Sequence, residues 1–479
     1  PPGATVHMKD YKTPNVPWEY VGVTPIPDIR LPLAILRWRF EKEGHETVLA
    51  ASTTFESERK LSERLSFSIS RVLDKKGTLP PGMVRVTVVD APNLPQLPDF
   101  FIDIYEVTNR RFKEFVDAGG YGKQEYWKEL FVKEGVPLSW EDAIREFADQ
   151  TGRPGPATWQ AGEYPAGQGD YPVSGVSWYE AAAYAAWAGK SLPTTDHWDV
   201  ARGTRTAFIG GLVTGTGALI SRLSNFGDEG PAPVGSHPAL MPFGQYDMAG
   251  NVREWCWNET QNGRGVRGGA WSDSSYMFGN VSQASPFDRS PKNGFRCVLL
   301  PEPEKVPKLC FEPLKLREYP DFYKVQPAPD SVFEVYREQF SYDRTELEDT
   351  IEWKNESSKD WTQEKITFNA AYDKDRVVAY LFLPKSGTHP FQTVIYFPGS
   401  GSVAERASTN LDAYWEFEWY LSPLVKSGRA VLYPIYLGTF ERGSDELRRI
   451  HDGADTHQYT EFFIKVVKDF RRCIDYLQQ

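Results

Sequence analysis

The stretch Gly244-Gln245-Tyr246-Asp247-Met248-Ala249-Gly250-Asn251-Val252-Arg253-Glu254-Trp255 carries most of the information about the fold. It lies within residues 78–302, where glycine, proline and tryptophan become frequent. Most of this region shows neither a sustained helical nor a sustained strand period, which is typical of short strands joined by loops. Residues 78–302 are therefore predicted to form an α+β domain rich in irregular structure.

Two segments of this region carry clear helix signals. Thr108 is a candidate N-cap for apolar residues at helical spacing that end before Gly119 and Gly120. Ser177 and Glu180 form a capping box ahead of an alanine-rich run. The alanines predict a helix that approaches its neighbour closely.

The opening stretch and five further motifs resemble the formylglycine-generating enzyme family. The motifs occur in the family's order, at residues 101–109, 171–178, 187–194, 267–271 and 294–297. The segment 198–203 departs from the family's usual form by being one residue shorter. The resemblance implies a C-type-lectin-like fold with little regular structure.

The family's enzymes oxidise a substrate cysteine with a copper ion. Two cysteines of the enzyme hold that ion, because soft thiolates suit Cu(I). Asp273 and Phe278 stand at the matching positions, and neither supplies a thiolate. Cys297 matches a family cysteine that is often disulfide-bonded, but Ala185 stands at its usual partner's position. Cys297 and Cys256 are therefore predicted to be free and buried. Copper is not expected, and a copper-dependent formylglycine-generating oxidase is the least favoured function.

The resemblance also implies a structural calcium site. The implied ligands are Asp247, the carbonyls of Gly250 and Val252, and Glu254. Hard oxygen ligands from one tight turn suit Ca²⁺. The alternative is that Asp247 and Glu254 hydrogen-bond turn amides. A second family site near Asn225 and Asp228 is disfavoured because the loop is short.

Without copper, this scaffold is expected to bind or organise a ligand. Aromatic residues around the former active site would stack on a sugar or peptide: Trp255, Trp257, Trp271, Tyr276 and Phe278. The alternative is that these rings only pack the core of an irregular fold.

Residues 1–77 are predicted to be β structure, because apolar residues alternate with arginines over 36–40. Segments 18–25, 29–32 and 41–44 resemble PEGA-type modules, which are small β-sandwiches near membrane anchors in bacterial surface proteins. Leu33 and Ala34 stand where such modules usually have glycine, and a generic β-domain is the alternative. Residues 303–345 are rich in proline and predict a linker or an arm that wraps a neighbour.

Residues 346–479 show an α/β pattern that resembles the N-terminal half of a dienelactone-hydrolase or prolyl-oligopeptidase type α/β-hydrolase. Apolar strands are predicted at 377–383, 393–397 and 430–434, ahead of a long amphipathic helix. The glycine-rich turn after the second strand matches the oxyanion loop, so the amides of Gly401 and Ser402 are candidate oxyanion donors.

No Gly-x-Ser-x-Gly motif occurs in the chain, and the nearest match, residues 175–179, fails at its last position. In this fold the motif follows the long helix, so the nucleophile is expected beyond Gln479. His451 and His457 are predicted to be solvated or interfacial. Strand 393–397 would have an unpaired side, so the rest of the hydrolase domain is expected in downstream sequence or a partner chain.

The composition excludes several classes. The formal net charge is −11, from 54 Lys and Arg against 65 Asp and Glu, without a long basic run, so a nucleic-acid partner is not expected. The four cysteines do not make a disulfide framework. No apolar run reaches the roughly 18 residues of a membrane span, and the first residues show no signal-peptide pattern.

The sequence therefore predicts a multidomain chain: a small β-sandwich, a C-type-lectin-like α+β domain, and a partial α/β-hydrolase sheet. The favoured function is a serine ester hydrolase that acts on a small ester or acyl substrate and carries two accessory modules. The alternative is a non-catalytic extracytoplasmic region that binds a glycan or peptide. That alternative arises because this order of modules resembles part of certain bacterial serine/threonine kinases, although no kinase signature lies in this chain.

Overall fold

The computed structural model describes residues 2–32, 34–54, 68–89, 94–204, 216–316, 322–414, 416–452 and 456–479. The chain divides into two compact units, Pro1–Glu318 and Tyr319–Gln479. Both are mixtures of helices and strands, arranged in several separate sheets. No helix in the described ranges is long and apolar enough to cross a membrane.

The first unit begins with an antiparallel sheet of order β2-β1-β3-β4. Its strands are β1 (Thr5–Asp10), β2 (Glu19–Val23), β3 (Ile35–Glu41) and β4 (Val48–Thr53). One group of its residues, including Trp38 and Phe40, forms a local core. Others, such as Tyr11, join a core shared with Trp198 and Leu240 of the middle region. The described part of residues 1–77 holds this single sheet, part of which packs against the middle region. The small β-sandwich stays a prediction.

The middle region holds two further sheets and a short hairpin. The first has order β13-β6-β5 and the second order β11-β10-β9-β12. The strands are β5 (Met83–Val86), β6 (Phe100–Asp103), β7 (Val132–Lys133), β8 (Val136–Pro137), β9 (Arg253–Thr260), β10 (Gly263–Arg267), β11 (Ser282–Ala284), β12 (Asn293–Gly294) and β13 (Val298–Leu299). Most are shorter than an average strand, in agreement with the predicted irregular domain.

The helices of this region are α1 (Asn109–Asp117), α2 (Trp140–Glu146), α3 (Trp178–Trp187), α4 (Thr195–Arg202) and α5 (Thr216–Arg222). Both predicted caps are confirmed. The Thr108 side chain accepts a hydrogen bond from the Arg111 amide. Ser177 and Glu180 complete a reciprocal capping box at the start of α3, which is mostly buried by aromatic neighbours.

The proline-rich segment divides between the two units. In the first unit, the Asn258 amide donates to the carbonyls of Cys310 and Glu312, and Cys310 is buried. This part of the segment packs on β9. In the second unit, residues 330–338 form the exposed helix α6 (Asp330–Glu338), which the sequence did not predict.

The second unit is built on a sheet of order β14-β15-β16-β18-β17. Its strands are β14 (Thr350–Asn355), β15 (Trp361–Asn369), β16 (Arg376–Pro384), β17 (Thr393–Ile395) and β18 (Ala430–Ile435). Its remaining helices are α7 (Gly401–Ala404), α8 (Ser422–Lys426), α9 (Asp445–Asp452) and α10 (His457–Leu477). The predicted long helix is confirmed as α10. β17 runs parallel to β18 at one edge and is half-buried, whereas β18 is fully buried.

Candidate functional site

The turn that precedes β9 has an unusual backbone. Asp247, Gly250 and Asn251 have positive φ angles of 59°, 78° and 61°. A Cβ atom on Gly250 would lie 2.1 Å from the carbonyl oxygen of Asn225, so only glycine fits there. The Asn251 amide in turn donates to the Asn225 carbonyl. This close approach holds the turn against the segment that contains Asn225.

Glu254 and Arg296 form a fully buried ion pair, with both side chains 0% exposed. Arg296 Nε and Nη2 donate to the two Glu254 oxygens at 2.7 Å each. Trp198 Nε1 donates to Glu254 Oε2, also at 2.7 Å. The other donors of Arg296 reach the carbonyls of Asp103, Ile104 and Tyr246. The pair therefore joins β9, α4 and the two sheets of the middle region.

These contacts do not fit the predicted calcium ligand set. Both oxygens of Glu254 are held by a cation and an indole, and Asp247 Oδ2 accepts from the Gly235 amide at 2.6 Å. No group of three or more His, Cys, Asp or Glu placed to hold a metal occurs in the described ranges. At the disfavoured second position, Asn225 is hydrogen-bonded to Asn251. Asp247 thus accepts a hydrogen bond from a backbone amide, as the alternative interpretation expected. Glu254 instead pairs with an arginine, which the sequence did not reveal.

A third buried carboxylate, Glu106, also escaped the sequence analysis. Its oxygens accept from the Val252 amide at 3.1 Å and from the Asn251 side chain at 2.7 Å. Burial, followed by the charges of Asp247 and Glu254, raises the pKa of Glu106. Burial likewise raises the pKa of Asp247 to about 6. Glu106 lies in motif 101–109, where it is a charged residue among mostly apolar ones. A charged residue in such a stretch is a signal for a buried carboxylate.

At the two positions that match the family's copper cysteines, the structure has an ion pair and a core aromatic. Arg253 Nε and Nη2 donate to the Asp273 carboxylate at 2.6 and 2.8 Å. Burial opposes ionisation of Asp273, but the hydrogen bonds from Arg253 and from the Ala270 amide prevail and lower its pKa. Phe278 is 1% exposed and its carbonyl accepts from Arg202. Neither position offers a soft ligand to copper.

The prediction of free, buried cysteines is confirmed. Cys256 and Cys297 are both 0% exposed, and none of the four cysteines is disulfide-bonded. Burial raises the pKa of both thiols well above the ordinary value. Ala185, at the position of the usual disulfide partner, is itself a core residue.

The five aromatic residues do not form one exposed surface. Trp255 and Phe278 are buried, Trp257 and Trp271 are half-buried, and Tyr276 is 68% exposed. Trp255 Nε1 donates to the Val176 carbonyl inside the core. Core packing, the alternative interpretation, therefore describes most of this set.

In the second unit, the predicted oxyanion turn follows β17 and leads into α7. The Ser402 amide and hydroxyl both donate to the Gly399 carbonyl, at 3.1 and 2.8 Å. Gly401 is the first residue of α7. Glu416, which the sequence analysis missed, accepts from the Gly399 amide at 3.0 Å and so fixes the turn. The roles of Gly401 and Ser402 stay predictions.

His451 and His457 lie on helices of the second unit. His451 is half-buried on α9 and His457 begins α10 with its side chain 86% exposed. His457 lies 3.7 Å from Glu461, one helical turn later. The helical period extends through a polar sequence here because charged residues occupy its solvent face.

Comparison with known proteins identifies the middle region. A profile of the Sulfatase-modifying factor enzyme 1-like domain matches residues 70–300. Over 161 residues the chain is 37% identical to "Serine/threonine-protein kinase Pkn1" of Chlamydia trachomatis, a match that covers 33% of this chain and 23% of the kinase. The chain thus spans about a quarter of the length of that relative.

Two further relatives carry the family's enzymatic name. "Formylglycine-generating enzyme" of Thermomonospora curvata is 35% identical over 185 residues, which are 34% of this chain and 60% of that protein. "Inactive C-alpha-formylglycine-generating enzyme 2" of Bos taurus is 30% identical over 238 residues, which are 42% of this chain and 76% of that protein. The chain therefore belongs to the sulfatase-modifying factor (formylglycine-generating enzyme) family through its middle region.

Proposed function

We propose that this chain is a non-catalytic ligand-binding region whose C-type-lectin-like middle domain has lost copper chemistry. The observation that carries the proposal is the Asp273–Arg253 ion pair and the buried Phe278 at the two copper positions. An ionised carboxylate that already has a guanidinium partner is a poor Cu(I) ligand, and a benzyl side chain is none. The similarity to an inactive relative and to a kinase supports the same view.

The setting that we propose is the extracytoplasmic part of a bacterial kinase-type protein, with the first sheet as a PEGA-type module. Its support is the order of the regions and the kinase match over 161 residues. Glycans and peptides are the ligand classes to test first. Saturable binding, without oxidation of a cysteine peptide supplied with copper and oxygen, is the expected result. Oxidation of the peptide cysteine would overturn the proposal.

A serine ester hydrolase is the second candidate, and the sheet of the second unit favours it. The order β14-β15-β16-β18-β17 places a parallel pair next to antiparallel strands, which matches the first half of the α/β-hydrolase type suggested by the sequence. The glycine-rich turn held by Glu416 follows β17, where that fold has its oxyanion loop. Labelling of the full-length protein by a fluorophosphonate probe would support this candidate, and no labelling would exclude it.

A further inference from the structure

A cleft of about 230 Å³ lies between the first sheet and loops of the middle region, within the first unit. The sheet contributes Lys9 and Arg37, and the β1–β2 loop contributes Trp18. The middle region contributes Tyr105 and Tyr246 among its lining residues. None of these residues stands at a position that matches the family's copper cysteines or in the predicted hydrolase turn.

Two cationic groups in this cleft lack a carboxylate partner in the part of the chain that the structure describes. Arg37 is 3% exposed, and its Nε and Nη2 donate only to the carbonyls of Tyr11 and Pro238. The Lys9 ammonium contacts the Pro14 carbonyl and lies 4.5 Å from the centre of the Trp18 ring. Carbonyls and a π face stabilise these cations but do not neutralise them.

Two acidic residues of the same sheet lie near these cations. Burial lowers the pKa of Arg37, and the charge of Asp10 acts in the opposite direction. Asp10 accepts from the Lys12 amide at 2.7 Å, and Glu41 pairs with Arg39 at 3.1 Å. Burial, followed by the charges of Arg37 and Arg39, lowers the pKa of Lys9. The cleft therefore concentrates positive charge on a chain whose formal net charge is −11.

The opposite wall supplies neutral hydrogen-bonding groups. Tyr105 and Tyr246 are stacked with ring centres 5.7 Å apart. Among the described residues, neither hydroxyl has a hydrogen-bond partner. Behind them, Asp247 accepts a hydrogen bond from the Gly235 amide, and burial raises its pKa to about 6. Burial and, to a smaller extent, the charge of Asp247 raise the pKa of both tyrosines.

We propose that this cleft binds a small organic carboxylate, with Lys9 and Arg37 Nη1 facing its two oxygens. Two cationic donors for two oxygens fit a carboxylate, and the tyrosine hydroxyls would meet hydroxyl groups on the same molecule. A ring-form sugar acid satisfies both requirements. This assignment rests on the proposed binding function and names its ligand class.

The test uses sodium glucuronate as the probe, titrated calorimetrically into the intact protein. Glucose is the matched ligand without a carboxylate, and cyclohexanecarboxylate is the matched ring acid without hydroxyls. The expected result is saturable glucuronate binding, at least tenfold weaker binding of glucose, and weakening by added salt. Binding of cyclohexanecarboxylate as tight as that of glucuronate would keep the carboxylate site but exclude a sugar acid as its specific ligand.

Lys9→Gln and Tyr105→Phe are the informative variants. Both side chains are partly exposed, and each substitution removes only one polar group. Each is expected to weaken glucuronate binding, Lys9→Gln by about tenfold, the scale of one charge-assisted hydrogen bond. Lys12→Gln, an exposed lysine outside the cleft, is the matched control. Equal affinity for glucose, or unchanged affinity in both variants, would overturn the assignment. Failure of the proposed non-catalytic function would be recognised separately, because the protein would then oxidise a cysteine peptide supplied with copper and oxygen.

Discussion

Replacement of Glu254 by glutamine tests the buried network that organises the middle region. The substitution keeps the size of the side chain and removes its charge, which leaves the Arg296 guanidinium without its bidentate partner. Both side chains are 0% exposed, so solvent does not replace the lost interaction. Breaking one side of a buried pair costs about 3–5 kcal/mol. Because Glu106 and Asp247 also stabilise the Arg296 charge, we expect the lower end, about 3 kcal/mol.

The assay is urea unfolding of the full chain, followed by tryptophan fluorescence and circular dichroism. Two compact units are expected to give two transitions, so the free energy of unfolding is taken from each transition separately. Asp170→Asn is the matched control, because the Arg110–Asp170 pair is 61% and 70% exposed and an exposed pair contributes little to stability. A Glu254→Gln protein within 1 kcal/mol of the wild type would refute the role given to this pair.

Three further predictions concern calcium binding, the cysteines and Asp247. Because Glu254 is held by Arg296 and Trp198, addition of EDTA or of Ca²⁺ is expected to leave the Tm unchanged; a calcium-dependent rise would restore the calcium site. A thiol reagent is expected to find all four cysteines only after unfolding, since each is buried and none is disulfide-bonded; four rapid thiols in the native protein, or fewer than four after unfolding, would contradict this. Burial raises the pKa of Asp247 from 3.8 to about 6, so its contribution to stability is full below 3.8 and is lost as the pH rises to about 6. Asp247→Asn, which also tolerates the positive φ, should therefore gain stability relative to the wild type between pH 4 and pH 7, and a parallel pH profile of the two proteins would argue against it.

Local signals in the sequence were sufficient where short-range physics decides the structure. The caps at Thr108 and Ser177 depend on residues within one helical turn, and both are present. The long helix α10 follows from its apolar period. The absence of thiolates at Asp273 and Phe278 could be predicted from the alignment of one motif alone.

Long-range pairing is what the sequence did not reveal. Arg296 lies in motif 294–297, and its partner Glu254 lies 42 positions earlier. Nothing local to either residue indicates the pair. The prediction of an exposed aromatic surface was wrong for the same reason. Only the folded core determines that Trp255 and Phe278 face inward. The first sheet was predicted as strands, whereas its packing against the middle region depends on residues near Trp198 and Leu240.

A Cu(I) titration tests the central claim most directly. The intact protein competes with a chromophoric Cu(I) chelator, beside the double variant Asp273→Cys/Phe278→Cys, whose fold is verified by circular dichroism. The wild type is expected to take no copper from the chelator, because Asp273 and Phe278 supply no thiolate, and the double variant is expected to take more. Stoichiometric, high-affinity Cu(I) binding by the wild-type middle domain would contradict the account.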